Sequence, residues 1–562
     1  MREVDMPKLE AALARGATVL DVREPIEFAQ AHVPGAVPIP MGQLPARMGE
    51  LDKGTTVLVI CATGNRSAAM TDLLTAAGYD AYNVAGGTKA WLRSGRAVAS
   101  GPPMKPVSIL TLETPSLGDR SYLVHDGDVA FVVDPQRDID RVLALLAEHD
   151  VRLTDVFETH IHNDYLTGGL ALARLTGAAY HVNAADEVGF ERTPIRDGEV
   201  VFVGTRMRLT ALATPGHTFT HLSYKLTVAR ADTDESVGVF SGGSLLFGAT
   251  GRPDLLGSEH TQDLARHQHA SANRLANLLP DDTRVFPTHG FGSFCSANQS
   301  EATASTIGQE KHSNPVLTLD EAAWVEDLLA SLDAWPAYYA HMGPGNTAGP
   351  SAPDLSLPAL ADPEQLRRRI EAGEWVVDLR NRTAFAAGHA PGTLNFGIDG
   401  QFATYLGWLI TWGTPITLLG ETVEDVAQAQ RELVRIGIDR PAAHATGKPE
   451  DWTDGEVASF PTATFADLAQ VLHHRKVTLL DVRRIAEHQP SRIDRAVNIP
   501  IHELPSRLAE VPPGEVWVHC ASGYRASVAA SLLDAAGRTV VAIDDDYEQA
   551  RSAGLRIVEP RR

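Results

Sequence analysis

TVLVICATGNRS, residues 56–67, joins a β-branched run to a loop of small residues and then to an Ala-rich helical pattern. The same arrangement returns as EVWVHCASGYRA at 515–526. It places Cys61 and Cys520 where a strand meets the N-terminus of a helix, and there free N–H groups and the helix dipole favour negative charge. Such surroundings lower a thiol pKa from about 8.5 to roughly 3.5–7.5. The repeat therefore predicts reactive cysteines rather than two buried apolar ones.

A longer repeat surrounds these loops. An Asp-x-Arg signature starts at Asp21, Asp378 and Asp481, inside the similar stretches VLDVREPIEFAQAHVPGAVPIP, VVDLRNRTAFAAGHAPGTLNFG and LLDVRRIAEHQPSRIDRAVNIP. A cysteine follows the first signature by 40 residues and the last by 39, whereas the middle copy has Gly420 at the matching place. Strands that alternate with helical patterns predict α/β domains with parallel sheets, whose ligands bind beyond the strand C-termini.

These three units resemble rhodanese domains, in which a cysteine opens a six-residue loop and carries a persulfide. The resemblance implies that Cys61 and Cys520 are sulfur-accepting nucleophiles and that the middle unit is a degenerate copy. It assigns the anion cradles to Ala62, Thr63, Gly64, Asn65, Arg66 and Ser67, and to Ala521, Ser522, Gly523, Tyr524, Arg525 and Ala526. The last unit lacks the usual Gly-His-x-Pro-Gly and Gly-Gly motifs, so its surface for partners is expected to differ.

Composition narrows the function classes. The chain has 562 residues, 44% of them hydrophobic, and 49 Lys and Arg against 71 Asp and Glu give a net charge of −22. This charge argues against nucleic acid or an anionic membrane as the main partner. The sequence has no signal-peptide pattern and no apolar run near the ~20 residues of a membrane span. Three cysteines form no disulfide framework, so we expect a cytoplasmic protein, and an oligomer of identical chains is compatible with the sequence.

Histidines follow strand-like runs at three places between residues 105 and 330. VFETHIHNDYLTGG carries His160, His162 and Asp164, ATPGHTFTHLSY carries His217, and VFPTHGFGSFCS carries His289. Two imidazoles and a carboxylate within five residues, joined by ligands from distant loops, form a set that zinc or iron favours. The sequence therefore predicts a metal site from these residues, whereas His267 and His269 are read as surface residues.

The same region resembles the metallo-β-lactamase fold, and within it the persulfide dioxygenase branch related to glyoxalase II. The residues that carry the resemblance are FETHIHNDYLTGG, PGHT and Gly-Arg-x-Asp at 251–254. It implies an αββα sandwich and one non-haem Fe(II), with zinc as the alternative, that oxidises a thiol persulfide to sulfite. It also implies that Arg252 contacts a carboxylate of the thiol, a task for which a bidentate guanidinium is suited.

Two positions depart from the family pattern. Tyr165 stands where the His-x-His-x-Asp-His loop has its last histidine, and Gly243 stands where an aspartate ligand is expected. Three outcomes stay open: a three-histidine site of His160, His162 and His217, a site completed by Asp164, or a pocket without metal that binds a thiol. Tyr165 is expected to face the substrate, and Cys295 to be buried or to line the pocket rather than to act as a nucleophile.

The predicted domains are a rhodanese domain at 1–100, a metallo-β-lactamase-like domain at 105–345, a degenerate rhodanese domain at 355–447 and a second rhodanese domain with its cysteine at 456–562. Pro/Gly-rich boundaries lie at 100–106 and 349–354, and a weaker break lies at 446–455. The aromatic segment 334–346 is expected to pack between domains.

The sequence favours a sulfur-metabolism enzyme that oxidises a small-molecule thiol persulfide and transfers sulfane sulfur, with sulfite or thiosulfate as product. Fusion motivates this hypothesis, since tethering raises the effective concentration of one site's product at the next. The alternatives are a sulfurtransferase or sulfur-relay scaffold whose central domain has lost metal chemistry, a glyoxalase II-like thioester hydrolase, and a non-enzymatic interaction protein.

Overall fold

The computed structural model describes residues 2–93, 107–229, 234–297 and 302–560. The chain divides into two compact units with a boundary between Pro106 and Val107. The predicted linker at 100–106 lies outside the described residues. Within the described ranges, no helix combines the length and the apolar character needed to cross a membrane.

The first unit contains a parallel five-stranded sheet with helices around it. The strands, in sheet order, are Glu3–Val4, Ala81–Val84, Val57–Ile60, Thr18–Asp21 and Val37–Pro38. The helices are Met6–Leu13, Pro25–Gln30, Leu44–Arg47, Asn65–Ala76 and Gly87–Arg93, with a 3-10 turn at Met48–Glu50. The strand Val57–Ile60 is fully buried, as a near-continuous apolar run in a parallel sheet should be, and Cys61 follows it directly.

The second unit begins with two six-stranded sheets packed face to face. The first contains Thr193–Ile195, Ala179–Asn183, Arg152–Phe157, Val129–Val133, Asp119–His125 and Ser108–Thr114. The second contains Val200–Val203, Met207–Ala213, Leu222–Ala229, Asp234–Gly242, Arg284–Pro287 and Ser305–Thr306. Apolar side chains of both sheets, among them Phe131, Phe157, Leu209, Tyr224 and Phe240, form one buried cluster between them.

Helices cover the outer faces of both sheets, which completes an αββα sandwich. They are Asp140–Glu148, Gly169–Thr176, Thr261–Leu278, Ile307–Ser313, Pro315–Thr318, Glu321–Ser331 and Tyr339–Ala348. The first two pack through Val142 and Leu170 on one sheet, and the long helix Thr261–Leu278 packs through Ala272 and Leu275 on the other. The predicted fold class is confirmed.

A parallel four-stranded sheet follows, in the order Leu394–Asn395, Trp375–Asp378, Ile416–Gly420 and Ala443–Thr446. Its helices are Pro363–Glu371, Arg382–Ala387, Phe402–Leu409, Val423–Arg435 and Pro449–Trp452. Gly420 ends the strand that corresponds to the cysteine strands, and a helix capped by the Thr422 side chain starts at Val423. This copy therefore has neither the sulfur nor the space of a six-residue loop.

The last sheet is again parallel and five-stranded, in the order Thr462–Ala463, Val540–Ile543, Val516–His519, Thr478–Asp481 and Val497–Asn498. A short antiparallel pair, Arg492–Ile493 with Ile557–Val558, lies beside it. The helices are Phe465–His474, Ile485–His488, Leu504–Arg507, Tyr524–Ala535 and Gln549–Ser552, with a 3-10 turn at Leu508–Glu510. Its core is continuous with that of the preceding sheet, since Leu394, Val426, Cys520 and Ala529 belong to one buried cluster.

The Asp-x-Arg signature has the same structural role in the three units that carry it. The arginine pairs with the aspartate two positions before it and donates to the carbonyl eight positions after it. These contacts are Arg23 with Asp21 and Ala31, Arg380 with Asp378 and Gly388, and Arg483 with Asp481 and Ser491. The signature therefore ties the strand end to the following helix, and it explains the repeat without a catalytic role.

Candidate functional site: two cysteine cradles and a buried histidine cluster

The Cys61 loop forms a cradle that stabilises a thiolate. The Gly64 N–H donates to Cys61 Sγ at 3.2 Å, and Ser67 Oγ lies 3.3 Å from the sulfur and 2.6 Å from Asn83 Oδ1. Burial opposes ionisation, yet the Ser67 hydroxyl and the loop N–H groups together lower the pKa of Cys61 below its usual value. The cradle thus favours the nucleophilic form of the sulfur.

Arg66 is held beside this cradle by a carboxylate. Its two terminal nitrogens donate to the two oxygens of Glu27 at 2.7 and 2.6 Å. This bidentate contact lowers the pKa of Glu27 to about 2, because the guanidinium stabilises the carboxylate. Both side chains are about one-third exposed, so the mouth of the first cradle carries a fixed and accessible ion pair.

The Cys520 cradle repeats this geometry with one group missing. The Gly523 N–H donates to Cys520 Sγ at 3.2 Å, and Arg525 makes a bidentate contact with Glu487. Ala526 stands where the first cradle has the Ser67 hydroxyl. The two cysteines therefore differ in one hydrogen-bond donor.

The middle unit covers part of the second cradle. The Tyr524 hydroxyl donates to the Gly397 carbonyl at 3.0 Å, and Arg382 Nε donates to Asp544 Oδ1 at 2.6 Å beside Gly523. The side chain of Arg525 is only 10% exposed, compared with 35% for Arg66. Both cysteines are buried, and the second cradle differs from the first in having the more enclosed arginine at its mouth.

The predicted metal ligands come together at one edge of the sandwich. Asp134, Thr159 and His160 follow the C-termini of the two central strands of the first sheet, and His217, Gly243 and His289 follow strands of the second. His160, His162, Asp164, His217 and His289 are all buried. Carboxyl ends of strands from both sheets thus build one enclosed polar site, as predicted for this fold.

Three histidines offer one nitrogen each to a common point. Ligand atoms of His160, His217 and His289 lie within 4.8 Å of one another, and the Nε2 atoms of His160 and His289 are 3.4 Å apart. Each Nδ1 atom has another partner: Thr159 Oγ1 for His160, the Arg252 carbonyl for His217 and Asp119 Oδ1 for His289. Proteins orient histidine ligands by anchoring one ring nitrogen in this way, and the other nitrogen, here Nε2, is then available to bind a metal.

The protonation states of this cluster are mixed. Burial lowers the pKa of His217 to about 3 and that of His160 well below its usual value, which keeps both imidazoles neutral, the form that binds metal. Burial also opposes charge on His289, but the carboxylates of Asp164 and Asp119 raise its pKa to about 10. A metal bound here would therefore compete with a proton for His289.

The Nε2 atom of His162 is engaged by groups outside the three-histidine group. This atom lies 3.1 Å from the Tyr165 hydroxyl, 3.3 Å from Asp134 Oδ1 and 3.2 Å from Glu158 Oε2. Burial again opposes charge, but the two carboxylates raise the pKa of His162 to about 9. Tyr165 stacks on the imidazole at 4.4 Å, so in this structure it contacts His162. Its predicted contact with substrate stays a prediction.

A second set of ligands shares His289. Atoms of His162, Asp164 and His289 also lie within 4.8 Å of one another, and Asp164 Oδ2 is 3.1 Å from His289 Nδ1. His162 Nδ1, Asp164 Oδ1 and His217 Nε2 are buried without a hydrogen-bond partner. Buried orphan atoms of this kind indicate a missing partner, and the donor types fit a divalent metal.

Gly243 makes room for His217. A Cβ atom at Gly243 would lie 2.3 Å from Cδ2 of the His217 ring, and one at Gly251 would lie 2.7 Å from Nδ1 of the same ring. The Gly243 N–H also donates to His221 Nε2 at 3.0 Å. The imidazole of His217 thus lies where a side chain at position 243 would begin, and in this arrangement there is no room there for the expected aspartate.

Two residues that hold the histidine cluster in place were not identified from the sequence. Asn346 accepts a hydrogen bond from the Thr167 N–H and donates to the carbonyls of His162 and Tyr165, which fixes the histidine loop. His221 contacts Gly243 and stacks on His160 at 5.0 Å. His221 could have been noticed in PGHTFTH, whereas nothing local to Asn346 indicates its role.

Arg252 is engaged within the protein. It is 4% exposed, makes a bidentate contact with Asp254 at 2.7 Å and donates to the Asp333 carbonyl. Its own carbonyl positions His217. The contact of Arg252 with a thiol carboxylate therefore stays a prediction, and it would require the Asp254 pair to open. Cys295 is fully buried, and burial raises the pKa of its thiol well above the usual value, which suits the predicted passive role.

A cavity of about 430 Å³ lies over the histidine loop. Ile161 and Asn163, which alternate with the histidines, and Thr218, next to His217, form one side of it. The helix Tyr339–Ala348 and Trp335 form the other. The segment 334–346, expected only to pack between domains, thus also lines this cavity.

Comparisons with known proteins agree with this geometry. A model of the rhodanese-like domain matches residues 5–94 and 464–553. A hydroxyacylglutathione hydrolase of Synechococcus sp. (strain JA-3-3Ab) is 31% identical over 235 residues, which cover 38% of this chain and 89% of the relative. The human mitochondrial persulfide dioxygenase ETHE1 is 29% identical over 202 residues, covering 35% of this chain and 71% of the relative.

Among solved structures, a metallo-β-lactamase from Staphylococcus aureus subsp. aureus COL is 28% identical with a TM-score of 0.55, and the match covers 61% of this chain and all of that one. The sequence resemblances are therefore confirmed at the level of fold and homology. The chain belongs to the metallo-β-lactamase-fold family that includes hydroxyacylglutathione hydrolase and persulfide dioxygenase, and it carries a rhodanese-like domain at each end.

Proposed function

We propose that this protein is a sulfur-metabolism enzyme that oxidises a thiol persulfide at the histidine cluster and transfers sulfane sulfur through a persulfide on Cys61. The observation that carries the proposal is the Cys61 cradle, in which a buried sulfur with a lowered pKa lies beside Gly64 N–H and the Ser67 hydroxyl. These features are what a persulfide-forming nucleophile requires.

In the transfer reaction, the Cys61 thiolate attacks the outer sulfur of a thiol persulfide. A bond forms between Cys61 Sγ and that sulfur, the original S–S bond breaks, and the carrier thiolate leaves. Sulfite then attacks the outer sulfur on Cys61, which releases thiosulfate and returns the thiolate. The Gly64 N–H and the Ser67 hydroxyl support the negative charge on Cys61 before and after transfer.

The histidine cluster is assigned to the oxidation, in which thiol persulfide, O₂ and water give the thiol and sulfite. His160, His217 and His289 would hold the metal, whereas Asp164 contacts Nδ1 of His289 and not the Nε2 atom that faces His160. A redox-active metal such as iron would supply the binding of O₂ and the electron transfer that this reaction needs. Thr159, Arg252 and Asp119 keep the three rings oriented, and burial of the site excludes bulk water.

Production of thiosulfate from sulfite and a thiol persulfide tests the transfer half. We expect the full-length protein to form thiosulfate, and Cys61→Ser to lose most of this activity. Cys520→Ser serves as the matched variant, because its cradle lacks the hydroxyl and is more enclosed. Thiosulfate formation that is unchanged in both single variants and in the double variant would refute the assignment.

One observation favours a second candidate function, a sulfurtransferase or relay scaffold without metal chemistry. The space of the aspartate ligand is filled by His217, and among the residues that the structure describes no carboxylate belongs to the His160/His217/His289 group. Iron analysis of protein purified without added metal separates the candidates. Stoichiometric iron supports oxidation, and metal-free protein with full transfer activity supports the scaffold.

A further inference from the structure

A helix of the middle unit lies against the second cradle. This helix, Phe402–Leu409, is anchored on the sandwich, because Thr404 Oγ1 donates to the Ser116 carbonyl at 2.9 Å. The next residue, Tyr405, contacts the ring of Tyr524, a member of the cysteine loop, with ring centroids 5.8 Å apart. The packing of the helix therefore fixes a tyrosine of the middle unit beside the cysteine loop of the last unit.

The Tyr405 hydroxyl is a donor without a partner. The residue is only 7% exposed, and none of the described residues forms a hydrogen bond with its oxygen. The oxygen is nevertheless not sealed from solvent, so a small molecule can reach it. The hydroxyl of Tyr524, by contrast, is engaged, since it donates to the Gly397 carbonyl. An unpartnered hydroxyl on an otherwise buried side chain is available to a bound molecule.

The charged groups at the mouth of the second cradle act on this hydroxyl. Burial raises the pKa of Tyr405, which keeps the phenol protonated, and thus a donor, at neutral pH. The Arg525 guanidinium opposes this shift more strongly than any other charge. The other charged groups that act on the hydroxyl are Arg484, Glu487 and the Cys520 sulfur. Since Coulomb interactions weaken with distance, this order places the hydroxyl beside the arginine that closes the cysteine loop.

We propose that Tyr405 is a substrate-contacting residue of the Cys520 site and that its hydroxyl donates a hydrogen bond to a sulfur oxyanion such as sulfite. This inference rests on the proposed function, because it assigns a residue to the same transfer chemistry at the second cysteine. The sulfur of sulfite attacks the outer sulfur of a persulfide on Cys520, the bond between that sulfur and Sγ breaks, thiosulfate leaves and the thiolate returns. Hydrogen bonds to ionised acceptors are stronger than neutral ones, so a phenol donor suits this anion.

Alkylation with two reagents of the same size tests the inference without turnover. Iodoacetate carries a carboxylate that stands in for the sulfite oxygens, and iodoacetamide is neutral, so the ratio of their rates at one cysteine cancels its thiolate population. Mass spectrometry of the full-length protein follows Cys520 and Cys61 separately. In Tyr405→Phe, which keeps the ring that packs on the loop, the iodoacetate-to-iodoacetamide ratio at Cys520 should fall about fivefold. The ratio at Cys61 should stay unchanged.

Tyr338→Phe is the matched control, because Tyr338 is a buried phenol in the same core and should keep both ratios. An unchanged ratio at Cys520 in Tyr405→Phe would overturn the inference, as would an equal fall at Cys61 or in the control. In a Cys61→Ser background, Tyr405→Phe should also raise KM for sulfite about fivefold and change kcat little. If the labelling ratio falls but this background forms no thiosulfate, the contact of Tyr405 with an anion stands and the transfer at Cys520 fails.

Discussion

At the scale of single residues, the two cysteine loops are not equivalent. Both sulfurs accept from a loop N–H at 3.2 Å, and both loops close with an arginine held by a glutamate. Ser67 is the difference, because Ala526 takes its place in the second loop. The Ser67 hydroxyl also lies 2.6 Å from Asn83 Oδ1, so its single proton is shared between that oxygen and the Cys61 sulfur. We therefore expect Cys61 to be the main sulfur carrier.

Replacing Ser67 with Ala should raise the pKa of Cys61. The thiolate fraction at pH 7, and with it the alkylation rate, should fall roughly two- to tenfold, since one hydrogen bond contributes about 0.5–1.5 kcal/mol. The curve of alkylation rate against pH should shift to higher pH in this variant, because the lowered pKa of Cys61 keeps the thiolate populated at lower pH in the wild type. Iodoacetamide labelling of Cys61, followed by mass spectrometry in a Cys520→Ser background, measures this shift.

Thr71→Ala is the matched control for this prediction. Thr71 is buried in the same helix and bonds to the Ser67 carbonyl, but it makes no contact with the sulfur. Its loss should leave the labelling curve in place. A curve that does not move in Ser67→Ala would contradict the role of the hydroxyl.

Gly243 is the second residue whose replacement is informative. A Cβ at this position would lie 2.3 Å from the His217 ring, so Gly243→Ala must displace that imidazole. We expect a loss of about 1–3 kcal/mol in the free energy of unfolding, which is typical of overpacking in a core. Urea unfolding checks the loss. Gly455→Ala, at an exposed glycine with more space, should be neutral; equal effects of the two substitutions would count against the His217 geometry.

At the scale of elements, the histidine loop depends on the helix Tyr339–Ala348. Asn346 in this helix bonds to three backbone groups of the loop, at His162, Tyr165 and Thr167. The preceding Tyr338 packs into a core that the sandwich shares with the two sheets that follow it in the chain. The helix therefore links the position of the histidine loop to the packing of this shared core.

Asn346→Ala should leave three buried backbone groups without partners. We expect a cost of about 2–4 kcal/mol in unfolding free energy, because each unsatisfied buried group costs about 1–3 kcal/mol and water can reach some of them. The affinity for added iron should also fall, since the loop carries His160 and His162. Chemical unfolding and iron titration measure the two effects. Asn273→Ala, at a half-buried asparagine of another helix, should cost less than about 1 kcal/mol and keep the iron affinity.

Local sequence patterns predicted the helices and strands well, but they predicted the histidine cluster only in part. β-Branched runs followed by small-residue loops identified the cysteine strands, and the histidines fell after strands as expected. The sequence could not show that His289 rather than His162 completes a group with His160 and His217, because side-chain direction depends on packing from both sheets. It could not indicate Asn346 either, whose partners lie about 180 residues away.

At the scale of the whole molecule, the three units that carry the Asp-x-Arg signature differ from one another. The first cradle has a partly exposed arginine at its mouth and the Ser67 hydroxyl, and the last has a buried arginine and no hydroxyl. The middle copy keeps its Asp-x-Arg anchor, lacks a cysteine loop, and covers the last unit through Gly397 and Arg382. The three units thus differ in the cysteine, in the donors around it and in the enclosure of the loop.

Oxygen uptake by the iron-reconstituted full-length protein tests the central claim most directly. Glutathione persulfide and an amine-bearing persulfide are supplied in parallel, so that the result does not depend on the choice of thiol. We predict that O₂ is consumed and thiosulfate accumulates, and that the Cys61→Ser/Cys520→Ser variant consumes O₂ but accumulates sulfite instead. No uptake of O₂ with either persulfide by protein that holds iron would contradict the claim that the histidine cluster oxidises persulfides.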